Sequence, residues 1–203
     1  MKRIAVFASG SGSNYQAIME FFAEHAKIQV ALLVCDQPQA KVIDRAKHWQ
    51  TPTLMVSPKD FPSKASYERH ILSFLEEYQI DFLVLAGYMR LIGPILLEPY
   101  SGRIINIHPS LLPAFPGKDA IGQALAYGVK VTGVTIHFVD EGMDTGPIIV
   151  QKAVEVSTDD DLLSLSSKIQ QIEHALYPPT VEDCVLGKVY LQGRKVCYRE
   201  GTS

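Results

Sequence analysis

The chain has 203 residues, 47% hydrophobic and 20% charged, which suits one globular domain with a proper core. A net charge of −3 gives no electrostatic case for nucleic acid, and no apolar run reaches membrane length or makes a signal-peptide core after Lys2 and Arg3. Cys35, Cys184 and Cys197 are odd in number and lack C-x-x-C spacing, so they predict buried free thiols in a reducing cytoplasm, with neither disulfides nor a zinc site.

Residues 2–8 form an apolar run of strand length, followed by SGSGSN at 9–14 and a helical stripe of Ile18, Met19, Phe21, Phe22 and Ala26 over 15–26. A strand, a Gly-rich turn and a helix in this order suit an anion, because small residues admit it closely and the first helical N–H groups point at it. The dinucleotide fingerprint would need Gly where the chain has Tyr15, so Gly10 and Gly12 match it only in part and a single phosphate is the better ligand. The same turn also reads as a tight connection with Asn14 as N-cap.

A second strand is predicted over 28–35 and a second helix over 38–49, with Asp36 between them where a dinucleotide-binding protein would hold a ribose. Residues 53–56 read as a strand, and 63–78 as an amphipathic helix burying Tyr67, Ile71, Phe74, Leu75 and Tyr78. Residues 81–86 form a fourth apolar strand that runs into the loop 87–94.

The β-branched Ile104, Ile105 and Ile107 predict a strand over 103–107 that Pro109 stops. Strand alternation turns Asn106 and His108 to one face and Ile105 and Ile107 to the other. A neutral amide donor then lies beside the side chain that titrates near neutrality, an arrangement able to polarise and protonate a carbonyl. Alone, the pair also suits a turn amide and a satisfied edge histidine.

After a Pro-rich loop at 110–118, a short helix over 119–127 closes at Gly128. Residues 131–139 alternate, with His137 on the face of Gly133 and Thr135, and the acidic turn 140–147 leads to a strand over 148–156 as a hairpin. Asp159, Asp160 and Asp161 open a helix to Leu176, which Pro178 and Pro179 are expected to break, with resumption over 180–186 and a hairpin over 189–198. The alternation predicts an α/β fold: a Rossmann-like open twisted sheet, mostly parallel with an antiparallel C-terminal part and helices on both faces. Ligands bind at the carboxyl ends of such strands, where 9–14, 87–92 and 106–108 all fall.

Taken together, SGSGSN at 9–14, AGYMR at 86–90, NIHPSLLP at 106–113, His137, DTGP at 144–147 and QQIEH at 170–174 resemble the phosphoribosylglycinamide formyltransferase family, folate-dependent enzymes of purine synthesis. The likeness runs from the first strand to about Pro178. Asn106, His108 and Asp144 alone are shared with the wider 10-formyltetrahydrofolate enzymes, including methionyl-tRNA formyltransferases and formyltetrahydrofolate hydrolases.

The resemblance implies formyl transfer from 10-formyltetrahydrofolate, as co-substrate, to the amine of glycinamide ribonucleotide, with Asn106, His108 and Asp144 catalytic. It implies that Gly12, Ser13 and Asn14 hold the substrate phosphate, and that Gln170, Gln171, Ile172 and Glu173 hold the ribose and glycinamide. It places Met89, Arg90, Leu91 and Ile92 along the folate and closes Asp140, Glu141, Gly142, Met143 and Asp144 over the pterin. Lys64 stands where relatives often have Arg at an anionic ligand group, so it brings charge without a bidentate fork. His137 matches a family position that is either structural or catalytic. Where some relatives carry histidines after the Pro-Gly of the loop, this chain has Lys118, Asp119, Ala120 and Ile121.

The expected whole is one cytoplasmic domain over 1–203, a phosphate-binding half at 1–100 and a folate-binding, catalytic half at 101–203. It acts on small molecules, without metal, nucleic acid or membrane, as a monomer or homodimer. The competing class is a dinucleotide-binding domain using residues 9–14 and Asp36.

Overall fold

The computed structural model describes residues 1–199, so residues 200–203 of the expected domain lie outside the described residues. The strands are β1 Lys2–Ala8, β2 Ile28–Cys35, β3 Thr53–Met55, β4 Phe82–Leu85, β5 Ile104–His108, β6 Val131–Phe138, β7 Ile148–Glu155, β8 Val189–Gln192 and β9 Lys195–Tyr198. The helices are α1 Ser13–Phe22, α2 Val42–His48, α3 Lys64–Glu77, α4 Pro94–Leu97, α5 Ala120–Tyr127 and α6 Leu162–Val185.

Seven strands form one sheet in the order β3-β2-β1-β4-β5-β6-β7, and β8-β9 form a separate hairpin. Pairing is parallel from β3 to β5 and antiparallel across β5-β6-β7. The pairing of β4 with β5 carries one sheet across the expected boundary near residue 100.

Strand alternation divides the core between the two faces. Ile4, Val6, Ile105 and Ile107 pack with α1, α2 and α6, whereas Ala5, Phe7, Leu83 and Ile104 pack with α3 and α4. Among the described residues no helix is long and apolar enough to cross a membrane. Cys35 and Cys184 are buried, and Cys197 is half-buried.

Three helices depart from their predicted bounds. The first begins at Ser13 behind a left-handed Gly12 with φ 72°, so Gly12 and not Asn14 is the N-cap. It ends at Phe22, with Ala26 beyond its end, and Phe21 is exposed on it instead of buried. The second begins at Val42 instead of residue 38, because the Val42 N–H is spent on the Gly10 carbonyl at 3.2 Å. In α6, Pro178 and Pro179 lie inside one 24-residue helix. The prolines delete two backbone donors, a penalty of ~3 kcal/mol each in an isolated helix. Here the apolar stripe of Ile169, Tyr177, Val181 and Val185 stays buried on both sides of the prolines, and Tyr177 Oη donates to the Leu85 carbonyl at 2.7 Å. Tertiary burial holds the helix where local propensity would end it.

Candidate active site

The order of the strands reverses between β1 and β4, which are parallel neighbours, and the loops at their carboxyl ends open a crevice there. A cavity of about 710 Å³ fills it and continues to the end of β5. Its wall includes Gly12, Ser13 and Asn14 after β1, Met89 to Ile92 after β4, Asn106 and His108 on β5, and Glu173 on α6. The turn after β6 adds Asp140, Gly142, Met143 and Asp144.

The Gly-rich turn is fixed from below. The Arg45 Nε donates to the Ser11 carbonyl at 2.9 Å, and a Cβ on Gly12 would lie 2.5 Å from Val42 Cγ2. Only glycine meets both the left-handed φ and the close approach. Behind the turn, the Asn14 Nδ2 donates to Glu173 Oε2 at 3.0 Å, while the buried Asn14 Oδ1 has no protein partner. Burial raises the Glu173 carboxyl, partly offset by the Asn14 hydrogen bond.

Antiparallel register sets Asn106 opposite His137 and His108 opposite Thr135. The Asn106 amide nitrogen lies 3.2 Å from His137 Nε2. His108 Nε2 donates to the Phe115 carbonyl at 2.8 Å, and its Nδ1 lies 3.4 Å from Asp144 Oδ2. Asp144 Oδ2 also accepts the Gly117 N–H at 2.7 Å, and Oδ1 lies 3.7 Å from His137 Nε2. One carboxylate thus joins the 110–118 loop, the acidic turn and both site histidines. Asn106 and Asp144 come together across 38 positions of chain only because β6 returns antiparallel beside β5.

A second carboxylate lies deeper. Asp36, 3% exposed, accepts from Ser9 Oγ at 2.5 Å and from Arg90 Nε at 2.6 Å, and the Met89 N–H donates to Ser9 Oγ at 3.0 Å. Both Asp36 oxygens are engaged by protein donors and Asp36 is not among the residues lining the cavity, which argues against it as the ribose holder of the dinucleotide-binding alternative. Arg90, anticipated as a ligand for a folate carboxylate, has its Nε committed to Asp36 while it lines the cavity. Glu68, also buried, accepts the Gly93 N–H at 2.6 Å and lies 3.6 Å from Lys64 Nζ.

Lys64, Glu141, Gln170, Gln171 and Ile172 are not among the residues lining the cavity. Lys64 faces Glu68, Glu141, Gln170 and Gln171 are exposed, and Ile172 packs against the core. The sequence reading omitted the Phe115 carbonyl, the Gly117 N–H, Ser166 and the Asp36–Ser9 pair. Of these, the Pro116-Gly117 turn offered a local signal, because a left-handed glycine frees its backbone to meet a side chain.

The chain also resembles known proteins over most of its length. The chain is 53% identical to phosphoribosylglycinamide formyltransferase of Bacillus subtilis over 183 residues, covering 90% of this chain and 94% of that protein. It is 41% identical to the trifunctional purine biosynthetic protein adenosine-3 of Drosophila melanogaster over 92% of its own length, spanning only 14% of that longer protein. A crystal structure of phosphoribosylglycinamide formyltransferase from Bacillus halodurans superposes with a TM-score of 0.87 at 57% identity, over 90% of this chain and 94% of that one. A family model described as formyl transferase matches residues 2–181, and the chain belongs to that formyl transferase family.

Proposed function

We propose that this site transfers the formyl group of 10-formyltetrahydrofolate to the amine of glycinamide ribonucleotide in purine biosynthesis, with Asn106, His108 and Asp144 as its reacting groups. The carrying observation is a single cavity whose wall includes those three side chains, the Gly12–Asn14 turn and Glu173. The Bacillus subtilis and Bacillus halodurans relatives are phosphoribosylglycinamide formyltransferases by name, and the reading of the reacting groups in this chain rests on its own residues.

Gly12, Ser13 and Asn14 present the N-terminal N–H groups of α1 to the phosphate. Glu173, held by Asn14, offers acceptors to the ribose and glycinamide, with Gln170, Gln171 and Ile172 on the adjoining turn. Met89, Arg90, Leu91 and Ile92 take one side of the folate and residues 140–144 the other, with Lys64 acting at longer range on its anionic end. The enzyme works in the cytoplasm on small molecules, as a monomer or homodimer.

The amine lone pair attacks the formyl carbon, and the carbonyl π pair moves onto oxygen. Asn106 donates an N–H to that oxyanion without changing charge. Asp144 takes the excess proton of the attacking nitrogen through water, and His108 gives one to the departing folate nitrogen as the C–N bond breaks and the carbonyl re-forms. Protons balance, since one leaves the amine and one arrives on folate. Donation from His108 Nε2 requires the ligand to replace the Phe115 carbonyl.

Steady-state kinetics of His108→Ala and Asp144→Asn test this assignment. Loss of a positioned acid is worth roughly 10²–10⁴-fold in kcat. Near-wild-type turnover in both variants would overturn it.

A further inference from the structure

His137 is 2% exposed and stands opposite Asn106 in the ladder. Its Nδ1 lies 2.9 Å from the Phe138 carbonyl, an atom that only accepts, so Nδ1 bears the proton. Its Nε2 lies 3.2 Å from Asn106 Nδ2, an atom that only donates. A neutral ring protonated at Nδ1 satisfies both contacts, whereas a proton on Nε2 would set two donors against each other; Asp144 Oδ1, 3.7 Å from Nε2, lies beyond hydrogen-bond distance and does not claim that position. Burial lowers the His137 pKa, opposed by the Phe138 carbonyl and the Asp144 carboxylate. The other charged or titratable groups acting on the ring are His108 and Asp140.

We infer that His137, as the neutral Nδ1–H tautomer, is a positioning residue: its Nε2 lone pair fixes which way the Asn106 amide faces, leaving the second Nδ2–H of Asn106 for the oxyanion. The inference rests on the donor role proposed for Asn106. An amide carries oxygen and nitrogen in nearly isosteric places, and little else in its shape selects between them. Turned over, Asn106 would present a carbonyl to a developing negative charge. Packing alone cannot make that choice, but a lone pair at 3.2 Å can.

Two substitutions separate the ring's contacts. His137→Gln keeps an acceptor near the Nε2 position, and His137→Asn keeps only a donor near Nδ1. With thermal unfolding measured alongside, His137→Asn is expected to lower kcat about 10²–10³-fold at unchanged KM for both substrates, and His137→Gln to stay within about tenfold of wild type. In an Asn106→Ala background, His137→Asn should cost no further activity. Nitrogen NMR of histidine-labelled wild-type protein at neutral pH should show Nδ1 protonated and Nε2 bare. A protonated Nε2, equal kcat losses in the two variants, or additive losses with Asn106→Ala would overturn the inference. If the wild-type protein formylates no amine, the proposed reaction fails by itself, and the NMR tautomer still decides the His137 assignment.

Discussion

Asn14 and Glu173 meet across the junction of α1 and α6 beside the cavity, leaving a buried carboxylate and a buried amide oxygen without a protein partner. The arrangement costs stability so that a ligand's donors can be recognised. Burial raises the Glu173 carboxyl above its ordinary 4.5, so the folded protein holds that proton more tightly than the unfolded chain does. Below that ordinary value both states are protonated and no penalty exists. As pH rises through it the unfolded chain ionises first, and stability falls until the folded-state pKa is passed. Glu173→Gln removes the penalty and retains an oxygen for Asn14. It should therefore unfold at higher urea than wild type near neutrality, with the gain vanishing in acid, while KM for the phosphoribosyl substrate rises. A variant less stable than wild type near neutrality would show instead that the carboxylate supports the fold.

At the scale of elements, the junction of β1 and α1 depends on a single backbone conformation. Gly12→Ala adds a left-handed penalty of about 1–2 kcal/mol and drives a Cβ into Val42. Gly10→Ala meets nothing within 4 Å. Urea midpoints and phosphoribosyl KM values should worsen clearly for Gly12→Ala and little for Gly10→Ala; equal behaviour would remove the close-approach explanation. Most strands were legible because apolar, β-branched runs such as 104–107 and 131–138 announce themselves. The continuity of α6 was not, because Pro178 and Pro179 speak locally while the burial of Tyr177 and Val181 is decided by the sheet beneath. Asn14 read as a cap from residue type alone, but Gly12 capped and freed it for Glu173, 159 positions away.

Over the whole molecule, the sheet order gathers the site, since residues from β1, β4, β5, the β6–β7 turn and α6 meet where the strand order reverses between β1 and β4. The roles of Asn106, His108 and Asp144 were suggested by alternation and resemblance, whereas the clamps on the 87–93 loop were not. Asp36 read only as a candidate ribose holder and Glu68 carried no signal in the sequence, yet each is 3% exposed and engages a backbone or side-chain partner distant in the chain. Exposed Met89, Leu91, Met143 and Leu162 line the cavity, and apolar surface of this kind fits a flat aromatic ligand.

Amine dependence of folate turnover is the most direct test of the proposed reaction. Purified protein is given 10-formyltetrahydrofolate with and without glycinamide ribonucleotide, and formation of tetrahydrofolate is followed by absorbance. Product should form only when the amine is present, with one formylated amine for each tetrahydrofolate released. Turnover at the same rate without the amine would mark a hydrolase, and tight nicotinamide-cofactor binding with no folate turnover would contradict formyl transfer altogether.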